Sequence, residues 1–409
     1  MALTLIGGTR SMNSLESNRE DVDYMHGILT LETWKTPITA MTSRYQTYSS
    51  QTQEVNKYED EYVPMADQIN DGSNMTDSDD TLTPDNPELW IIGTLGKNER
   101  TGEVFYVTAN NGTDATIVRE YGKSEGWSST KAAMLDNDYL SIIGRVYNQG
   151  HAMPSIVTTQ PVLATNYCAD YRSAMGMTEI LLDSALRGTP DWEHQESKKA
   201  TEHAMLLEMA NIDGKPYAGN KKEYVENSSS VSGSMTGGGI DHFLTVAGNA
   251  DNLVDQDELT MFEFLDYCET LFNKGSSEKY MYAPDSFFHQ GLDRWGITKM
   301  NTYAGEPMLG MRIGRWEFSA GKTLYFVNHD GLKSKDPGTL YHRAYGLDLK
   351  NLYHVVFGRN GSTRLRDKIK YENSDGKTIE KQEFQTTQCI LPVQMETHAR
   401  LRYKTIAAA

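Results

Sequence analysis

Cysteine is scarce in this chain, which has 409 residues and only Cys168, Cys268 and Cys389. Three widely separated cysteines cannot build a disulfide framework, and they favour a reducing, cytosolic origin. No apolar run approaches the ~20 residues that a membrane-spanning helix needs. The first ten residues lack the basic segment and apolar core of a signal peptide. The sequence therefore predicts a soluble protein that is made inside a cell and does not enter a membrane.

Positive charge is also in short supply. Lys and Arg total 39 against 56 Asp and Glu, which gives a net charge of −17. This balance leaves no basic footprint for sequence-specific nucleic-acid binding. An acidic surface repels DNA and would suit a protein that encloses DNA without adhering to it, although solubility alone is an equally good explanation. Hydrophobic residues make up 38%, which fits extensions that bury apolar groups against neighbours, or an ordinary acidic soluble protein.

The most informative segment runs from residue 188 to 216 and predicts one long helix. Thr189 is a candidate N-cap and Pro190 suits the first helical position, while Gly214 and Pro216 mark its end. Apolar and small residues recur at helical spacing and predict the buried stripe. The stripe consists of Trp192, Ala200, His203, Leu206, Leu207 and Ala210.

Strands are predicted on both sides of this helix. Asn110, Asn111 and Gly112 separate two β-rich runs and indicate a hairpin. Another strand is predicted over 139–147, so residues 88–150 form a small β subdomain. Residues 54–85 are acidic and nearly devoid of apolar side chains, and they predict an extended loop without a core. A calcium-binding loop is the alternative, although the spacing lacks its closing Glu.

The second half reads as a separate α/β region. Trp34 to Pro37 predicts a stop after a weak N-terminal helix, and a Gly- and Ser-rich stretch at 227–239 marks a boundary. Asp255 and Glu258 resemble a capping box that opens a helix ending at Gly275. That helix is predicted to bury Met261, Phe262, Leu265, Cys268 and Phe272. A hairpin follows over 311–327, and long antiparallel strands turning at 373–376 complete the chain.

No catalytic, cofactor-binding or metal-binding residue is predicted. Residues 319–323 resemble the end of a phosphate loop, but Trp316 occupies the place of the first glycine, so a hairpin turn is the better interpretation. His194 and His203 point in almost opposite directions from one helix and cannot share an ion there. His203 is expected to be a partly buried histidine with its hydrogen bonds satisfied.

Eight segments in order along nearly the whole chain resemble major capsid proteins of tailed bacteriophages, in a branch found among podophages. They are Gly102–Thr108, Thr116–Glu120, Glu179–Thr189, Glu202–Glu208, Gly238–Leu244, Tyr280–Pro284, Thr363–Lys368 and Glu383–Thr386. The resemblance implies the α+β fold of the Hong Kong 97 phage capsid protein, with an enlarged extended loop. The implied domains are an N-terminal arm (1–42), an extended loop with an inserted β subdomain (43–165, insertion 88–150), a peripheral domain with a spine helix (166–235, helix 190–213), an axial domain (236–345), and returning peripheral strands with a C-terminal tail (346–409).

This resemblance implies a shell protein rather than an enzyme. Hexamers and pentamers of the chain would form an icosahedral head around double-stranded DNA, assembled in the bacterial cytoplasm and carried in the virion. The implied partners are a separate scaffolding protein, a portal protein at one vertex and a decoration or cement protein. A cellular nanocompartment shell of the same fold is one alternative, and an acidic hydrolase with a carboxylate pair is another.

Aromatic residues in the arm and loop are the candidate contacts between subunits. An extended polar segment with little core gains order by lying against other copies, and Tyr is enriched at interfaces. Packing within a single chain is the alternative explanation for each residue. The candidates are Tyr45, Tyr48, Tyr58, Tyr62 and Trp90.

Overall fold

The computed structural model describes most of the chain from residue 36 onward. The described residues are 36–70, 72, 74–126, 128–182, 191–218, 235–247, 250–296, 302–304, 313–318, 321–336, 340–359, 362–363, 365–371 and 379–407. Their helices and sheets confirm the predicted α+β class. The weak helix predicted near residue 25, the cap at Thr189 and Pro190, and the turn at 373–376 lie outside the described residues.

The chain divides into two compact units. The first unit comprises Met1–Lys57 and Ala164–Ala409, and the inserted unit comprises Tyr58–Leu163. The finer five-part division made from the sequence stays a prediction. The helices are α1 Pro37–Tyr45, α2 Glu179–Leu182, α3 Asp191–Asp213, α4 Ile240–Ala247, α5 Met261–Leu271 and α6 Asp285–Phe287.

The described residues also form twenty-one strands. They are β1 Thr47–Ser50, β2 Glu54–Glu59, β3 Ala66–Gln68, β4 Thr81–Leu82, β5 Thr94–Asn98, β6 Val104–Asn110, β7 Ala115–Val118, β8 Tyr139–Arg145, β9 Val162–Tyr167, β10 Ala169–Thr178, β11 Leu253–Leu259, β12 Glu278–Ala283, β13 Thr302–Ala304, β14 Ile313–Glu317, β15 Thr323–Asn328, β16 His342–Leu347, β17 Leu352–Arg359, β18 Ser362–Thr363, β19 Leu365–Tyr371, β20 Ile379–Pro392 and β21 Ala399–Ile406.

The first unit contains two large sheets. One has the order β1-β17-β20-β10, with β18 on β17 and β19 on β20. The other has the order β11-β21-β16-β12-β15-β14-β13 and mixes directions, because β12 is parallel to β15 but antiparallel to β16. The predicted hairpin near residue 320 is present as β14 and β15, and the predicted antiparallel C-terminal strands are present as β19 and β20.

Helix α3 is the long helix expected from the sequence. It contacts β10, β20, α1 and α4, and its buried face comprises His203, Leu207, Glu208, Asn211 and Ile212. The predicted stripe is therefore partly wrong, since Leu206 is 56% exposed and Ala200 is also exposed. The helix ends where predicted, at Asp213. Glycine is required at the next position, because a Cβ on Gly214 would lie 2.4 Å from the Ala210 carbonyl oxygen and 2.5 Å from that of Gly237.

Helix α5 begins later than the sequence suggested. Asp255 and Glu258 lie in strand β11, and the capping box is formed by Thr260 and Glu263 instead. The Thr260 hydroxyl accepts from the Glu263 N–H, and the Glu263 carboxylate accepts from the Thr260 N–H at 2.7 Å. Phe262 is 79% exposed and not buried as predicted, because Phe264, Tyr267, Cys268 and Leu271 form the inward face of the helix.

The buried face of α5 supplies one wall of the largest core. Phe264, Tyr267, Cys268 and Leu271 pack there together with strands β12, β15 and β21. The Phe264 ring stacks on Trp295 and Trp316 at centroid separations of 5.8 and 6.1 Å. Aromatic contacts of this kind contribute ~0.5–1.5 kcal/mol each beyond their buried area.

The inserted unit is built on a six-stranded sheet with the order β3-β8-β5-β6-β7-β4. The hairpin predicted at Asn111 joins β6 to β7, and the strand predicted over 139–147 is β8. The expectation that residues 54–85 lack a core is wrong. Ile69, Met75 and Leu82 are buried in this unit's core, because short strands within the acidic stretch pair with β8 and β7.

Pro37 opens α1 at its first helical position. Proline fits there because its missing N–H would have no partner within the helix and its φ is already helical. The weak helix that the sequence predicted to stop at Trp34 to Pro37 lies outside the described residues.

Candidate inter-subunit surface

Exposed apolar side chains are concentrated in two segments of the inserted unit, 58–65 and 153–163. Along the sequence, they lie at the two ends of this unit. Strands β2 and β9, which pair with each other, carry part of this set. Its members are Tyr58, Tyr62, Met65, Met153, Ile156, Val162 and Leu163. We call this set the connector surface. Large exposed apolar groups are candidates for protein–protein contacts, and for this set such contacts stay a prediction.

Four of the five candidate aromatic residues are exposed on the chain. Tyr58 and Tyr62 belong to the connector surface, and Tyr62 is 99% exposed. Tyr48 projects from β1, which pairs in parallel with β17. Tyr45 is less free, because its hydroxyl shares a hydrogen bond of 2.5 Å with the Tyr280 hydroxyl. Their contacts with other subunits stay a prediction.

The fifth candidate, Trp90, is buried within the chain and cannot contact a neighbouring subunit. It is 0% exposed and packs against Phe105 at a ring-centroid distance of 5.4 Å. Its indole N–H donates to the Asp67 carboxylate at 2.7 Å. We therefore correct its assignment to the core of the inserted unit, where its indole N–H binds Asp67 of strand β3.

A second apolar surface crosses the sheet of the inserted unit. Leu95 on β5 faces Tyr106 on β6, and Tyr106 faces Val118 on β7. Ile143 continues the row at a bulge in β8 opposite β5. Val118 and Ile143 are about half exposed. These four residues form what we call the outer stripe.

Burial of charge is the unexpected feature of the first unit. The Glu208 carboxylate, 0% exposed, accepts hydrogen bonds from the N–H groups of Ile38 and Thr39, both at 2.8 Å. The Thr39 hydroxyl also donates to it, and His329 Nε2 lies 3.0 Å away. The first N–H groups of a helix have no partner within the helix. Glu208 therefore joins the start of α1 to α3 and to the segment after β15.

Sequence reasoning missed this junction, although a signal was present. Glu208 adjoins Leu207 and falls between His203 and Asn211 on the face of α3 that packs inward. A carboxylate on the buried face of a helix requires hydrogen-bond donors from another element. Asn211 supports the same contact, since its amide donates to the Thr39 hydroxyl at 2.8 Å.

The other chemical candidates have structural explanations. His203 is buried, with its ring nitrogens 2.9 Å from the Ser173 hydroxyl and 3.0 Å from the Thr386 hydroxyl, as expected of a satisfied histidine. Gly321 lies in the turn between β14 and β15. Among the described residues, no group of three His, Cys, Asp or Glu side chains is arranged to hold a metal ion. In the same part of the chain, no helix is long and apolar enough to cross a membrane.

Comparison with known sequence families decides the relationship of the chain. The family model described as the SU10 major capsid protein matches residues 7–368. The chain belongs to the SU10 major capsid protein family. This membership confirms the resemblance to tailed-phage major capsid proteins that the sequence segments indicated.

A curated relative points the same way. The major capsid protein of Pseudomonas phage PaMx41 is 29% identical over 98 residues, which cover 24% of this chain. The match spans only 22% of that relative's length.

The solved structures to which the chain is similar include two from phages and one of an encapsulin. A structure from Mycobacterium phage Bobi has a TM-score of 0.46 at 9% identity and covers 96% of this chain and 98% of its own. The capsid of Myoviridae phage XM1 has a TM-score of 0.45 at 9% identity, with 97% and 99% covered. The SrpI encapsulin complex of Synechococcus elongatus PCC 7942 has a TM-score of 0.40 at 10% identity, with 61% and 77% covered. The family assignment rests on the sequence-family match and not on these superpositions.

Proposed function

We propose that this chain is the major capsid protein of a tailed bacteriophage. In this proposal, hexamers and pentamers of the chain form an icosahedral head that encloses double-stranded DNA. A separate scaffolding protein guides assembly in the host cytoplasm, a portal protein occupies one vertex, and a decoration protein can bind the finished virion. Membership of the SU10 family supports the shell role, while the partners follow from the resemblance.

The connector surface is the observation that carries the proposal. Seven large apolar side chains are exposed to solvent on the single chain. Most of them lie outside the helices and strands. Burial of each would contribute ~1.5–3 kcal/mol, which supplies a driving force for contact with other copies. Contacts that repeat around a rotation axis close into rings, which are the building blocks of a shell.

The net charge of the chain is compatible with a shell that contains DNA. The net charge of −17 opposes tight binding to a polyanion. A shell of this composition would hold DNA by enclosure, and its interaction with the packaged duplex would not depend on base sequence.

A pair of variants tests whether the connector surface drives assembly. Met153→Asp combined with Ile156→Asp places charge on two of its exposed residues. Gln160→Asp is the control, because it adds a carboxylate at an exposed polar position in the same segment. The variants and the parent chain are co-produced with the scaffolding protein and compared by sedimentation and negative-stain electron microscopy. We expect shells or capsomer rings from the parent and the control, and unassembled chains from the double variant.

Two results would oppose the proposal. A parent chain that stays monomeric under every assembly condition would contradict the shell function, and a double variant that assembles normally would contradict the role of the connector surface. The nanocompartment alternative makes a different prediction about contents. Its particles would hold a protein cargo, whereas phage particles would protect double-stranded DNA from added nuclease.

A further inference from the structure

Two cysteines that are far apart in sequence meet inside the first unit. The Sγ atoms of Cys168 and Cys389 are 3.4 Å apart, and both residues are buried free thiols. They belong to a small core cluster with Val55, Val355 and Leu391. Cysteine counting could not have found this pair, because 221 positions separate the two residues.

Strand register explains why the two residues face each other. Strands β10 and β20 are antiparallel, with Ala169 opposite Gln388. The same register carried one step further places Cys168 opposite Cys389. Directly opposed residues in antiparallel strands have Cβ atoms about 4.5–5.5 Å apart, close to the spacing of about 3.5–4.5 Å that a disulfide requires. Closing the bond would therefore need side-chain rotation and a small adjustment, without a new path for the backbone.

The pair lies where the chain re-enters the first unit. The Cys168 N–H donates to the Gln53 carbonyl at 2.7 Å, shortly before the chain departs into the inserted unit. Nearby, the Asn166 amide donates to the Gly238 carbonyl at 2.9 Å and also to that of Ile390. A covalent bond here would tie the returning segment to β20 in addition to these hydrogen bonds.

We propose that Cys168 and Cys389 form a latent disulfide that closes when the protein meets a low-molecular-weight disulfide in an oxidising medium. In the first step, one cysteine thiolate attacks the external disulfide, forms a mixed disulfide and releases one small thiol. In the second step, the other cysteine thiolate displaces the second small thiol and completes the bond. Two cysteine protons and two electrons thus pass to the external disulfide, which leaves as two thiols.

The surroundings keep the pair reduced until such a reagent arrives. Both thiols are shielded from water. The hydrogen bond with Cys168, together with burial, raises the pKa of the Cys389 thiol well above its ordinary value, so little thiolate is present. Reaction therefore depends on brief opening of the strands. Once one sulfur has reacted, the second is already adjacent, so the mixed disulfide resolves within the chain.

The purified full chain tests this proposal directly. It is treated with a small, uncharged disulfide such as 2-hydroxyethyl disulfide, which leaves as two molecules of 2-mercaptoethanol, and is then denatured and alkylated. We expect a non-reducing peptide map to contain one linked pair, Cys168 with Cys389. Cys268 is an internal control, because it is also buried but lies in a different core cluster, and it should remain free to be alkylated. Cys389→Ser treated in the same way should yield no link.

The proposed disulfide should also stabilise the chain against unfolding. Oxidation should raise the urea midpoint of the parent chain, reduction should reverse the rise, and Cys389→Ser should show no change, because a long closed loop restricts the unfolded chain. Full alkylation of both cysteines after oxidant treatment would overturn the proposal. A link to Cys268, or separate mixed disulfides on the two cysteines, would do the same. A bond between Cys168 and Cys389 that does not raise the urea midpoint would refute the expected stabilisation.

Discussion

Replacing Glu208 with alanine tests how the start of α1 is held to α3. The change removes the acceptor for the N–H groups of Ile38 and Thr39 and the partner of His329. It also leaves a small cavity, since the Glu208 side chain is fully buried. The helix start would then keep two N–H groups without the acceptor that they now use.

The expected loss is large because each of these groups is shielded from water. A buried donor that loses its partner costs ~1–3 kcal/mol. Breaking a buried charged contact by removing one partner costs ~3–5 kcal/mol in measured cases. Since two backbone donors depend on Glu208, we expect Glu208→Ala to lower the free energy of unfolding by about 3–5 kcal/mol. Glu208→Gln keeps the volume and one acceptor oxygen, so its effect should be smaller.

The matched control is Glu202→Ala on the same helix. The Glu202 carboxylate is about one-third exposed and pairs with Lys199 at 2.7 Å. Removing such a partly exposed pair three residues apart should cost only ~0.2–0.5 kcal/mol. Urea unfolding of the unassembled chain, followed by fluorescence, compares the variants. If the free energies of unfolding of Glu208→Ala and of the control differ by less than about 1 kcal/mol, the buried carboxylate does not stabilise the junction and the reasoning is refuted.

Two further predictions concern close packing and a buried amine. Gly96→Ala should destabilise the inserted unit by ~1–3 kcal/mol in thermal unfolding, because its Cβ would meet the rings of Phe105 and Trp90 at 2.5 Å. Gly144→Ala is the control and should be neutral, because a Cβ there has open space. Equal effects of the two variants would contradict this packing. Burial lowers the pKa of Lys279 to about 8 from 10.5. The unfolded chain thus binds more protons between these values, and parental stability should rise with pH by up to ~1.4 kcal/mol per unit. Lys279→Met should lack this rise in urea unfolding at about pH 8 and about pH 9.5, and parallel pH profiles would count against it.

Local turn chemistry explains the parts of the fold that were predictable. Gly112 has a positive φ of 92° in the turn between β6 and β7, which is a conformation that glycine adopts without strain. Side chains complete the same turn, since the Asn111 side-chain oxygen accepts from the N–H groups of Thr113 and Asp114. Such features are encoded within a few residues, so the sequence predicts them correctly.

The start of α5 could not be predicted for the opposite reason. Two segments with capping-box spacing follow each other, one beginning at Asp255 and one at Thr260. Asp255 lies in β11, which pairs in parallel with β21, and its carboxylate binds the Arg402 guanidinium from that strand. A partner almost 150 positions away therefore decides which segment becomes a strand. The interfacial assignment of Trp90 failed in the same way, because its partner Asp67 is in another segment.

Buried carboxylates also explain why the amino-acid composition did not predict the core of the inserted unit. Glu103 is fully buried and binds Arg119 through two hydrogen bonds of 2.9 and 2.6 Å. Burial opposes ionisation of Asp138, yet hydrogen bonds from Arg100 and Asn98 hold the pKa of its carboxyl below the ordinary value. Asp67 accepts from the Trp90 indole. Each carboxylate satisfies donors that loops would otherwise leave unpaired inside the fold.

This use of acidic residues gives part of the charge a structural role. Glu103 with Arg119 and Asp138 with Arg100 form locally neutral pairs, and the net charge of −17 already counts both members of each pair. The inserted unit can therefore be poor in apolar residues and still have a core, while its apolar side chains remain available for the connector surface and the outer stripe.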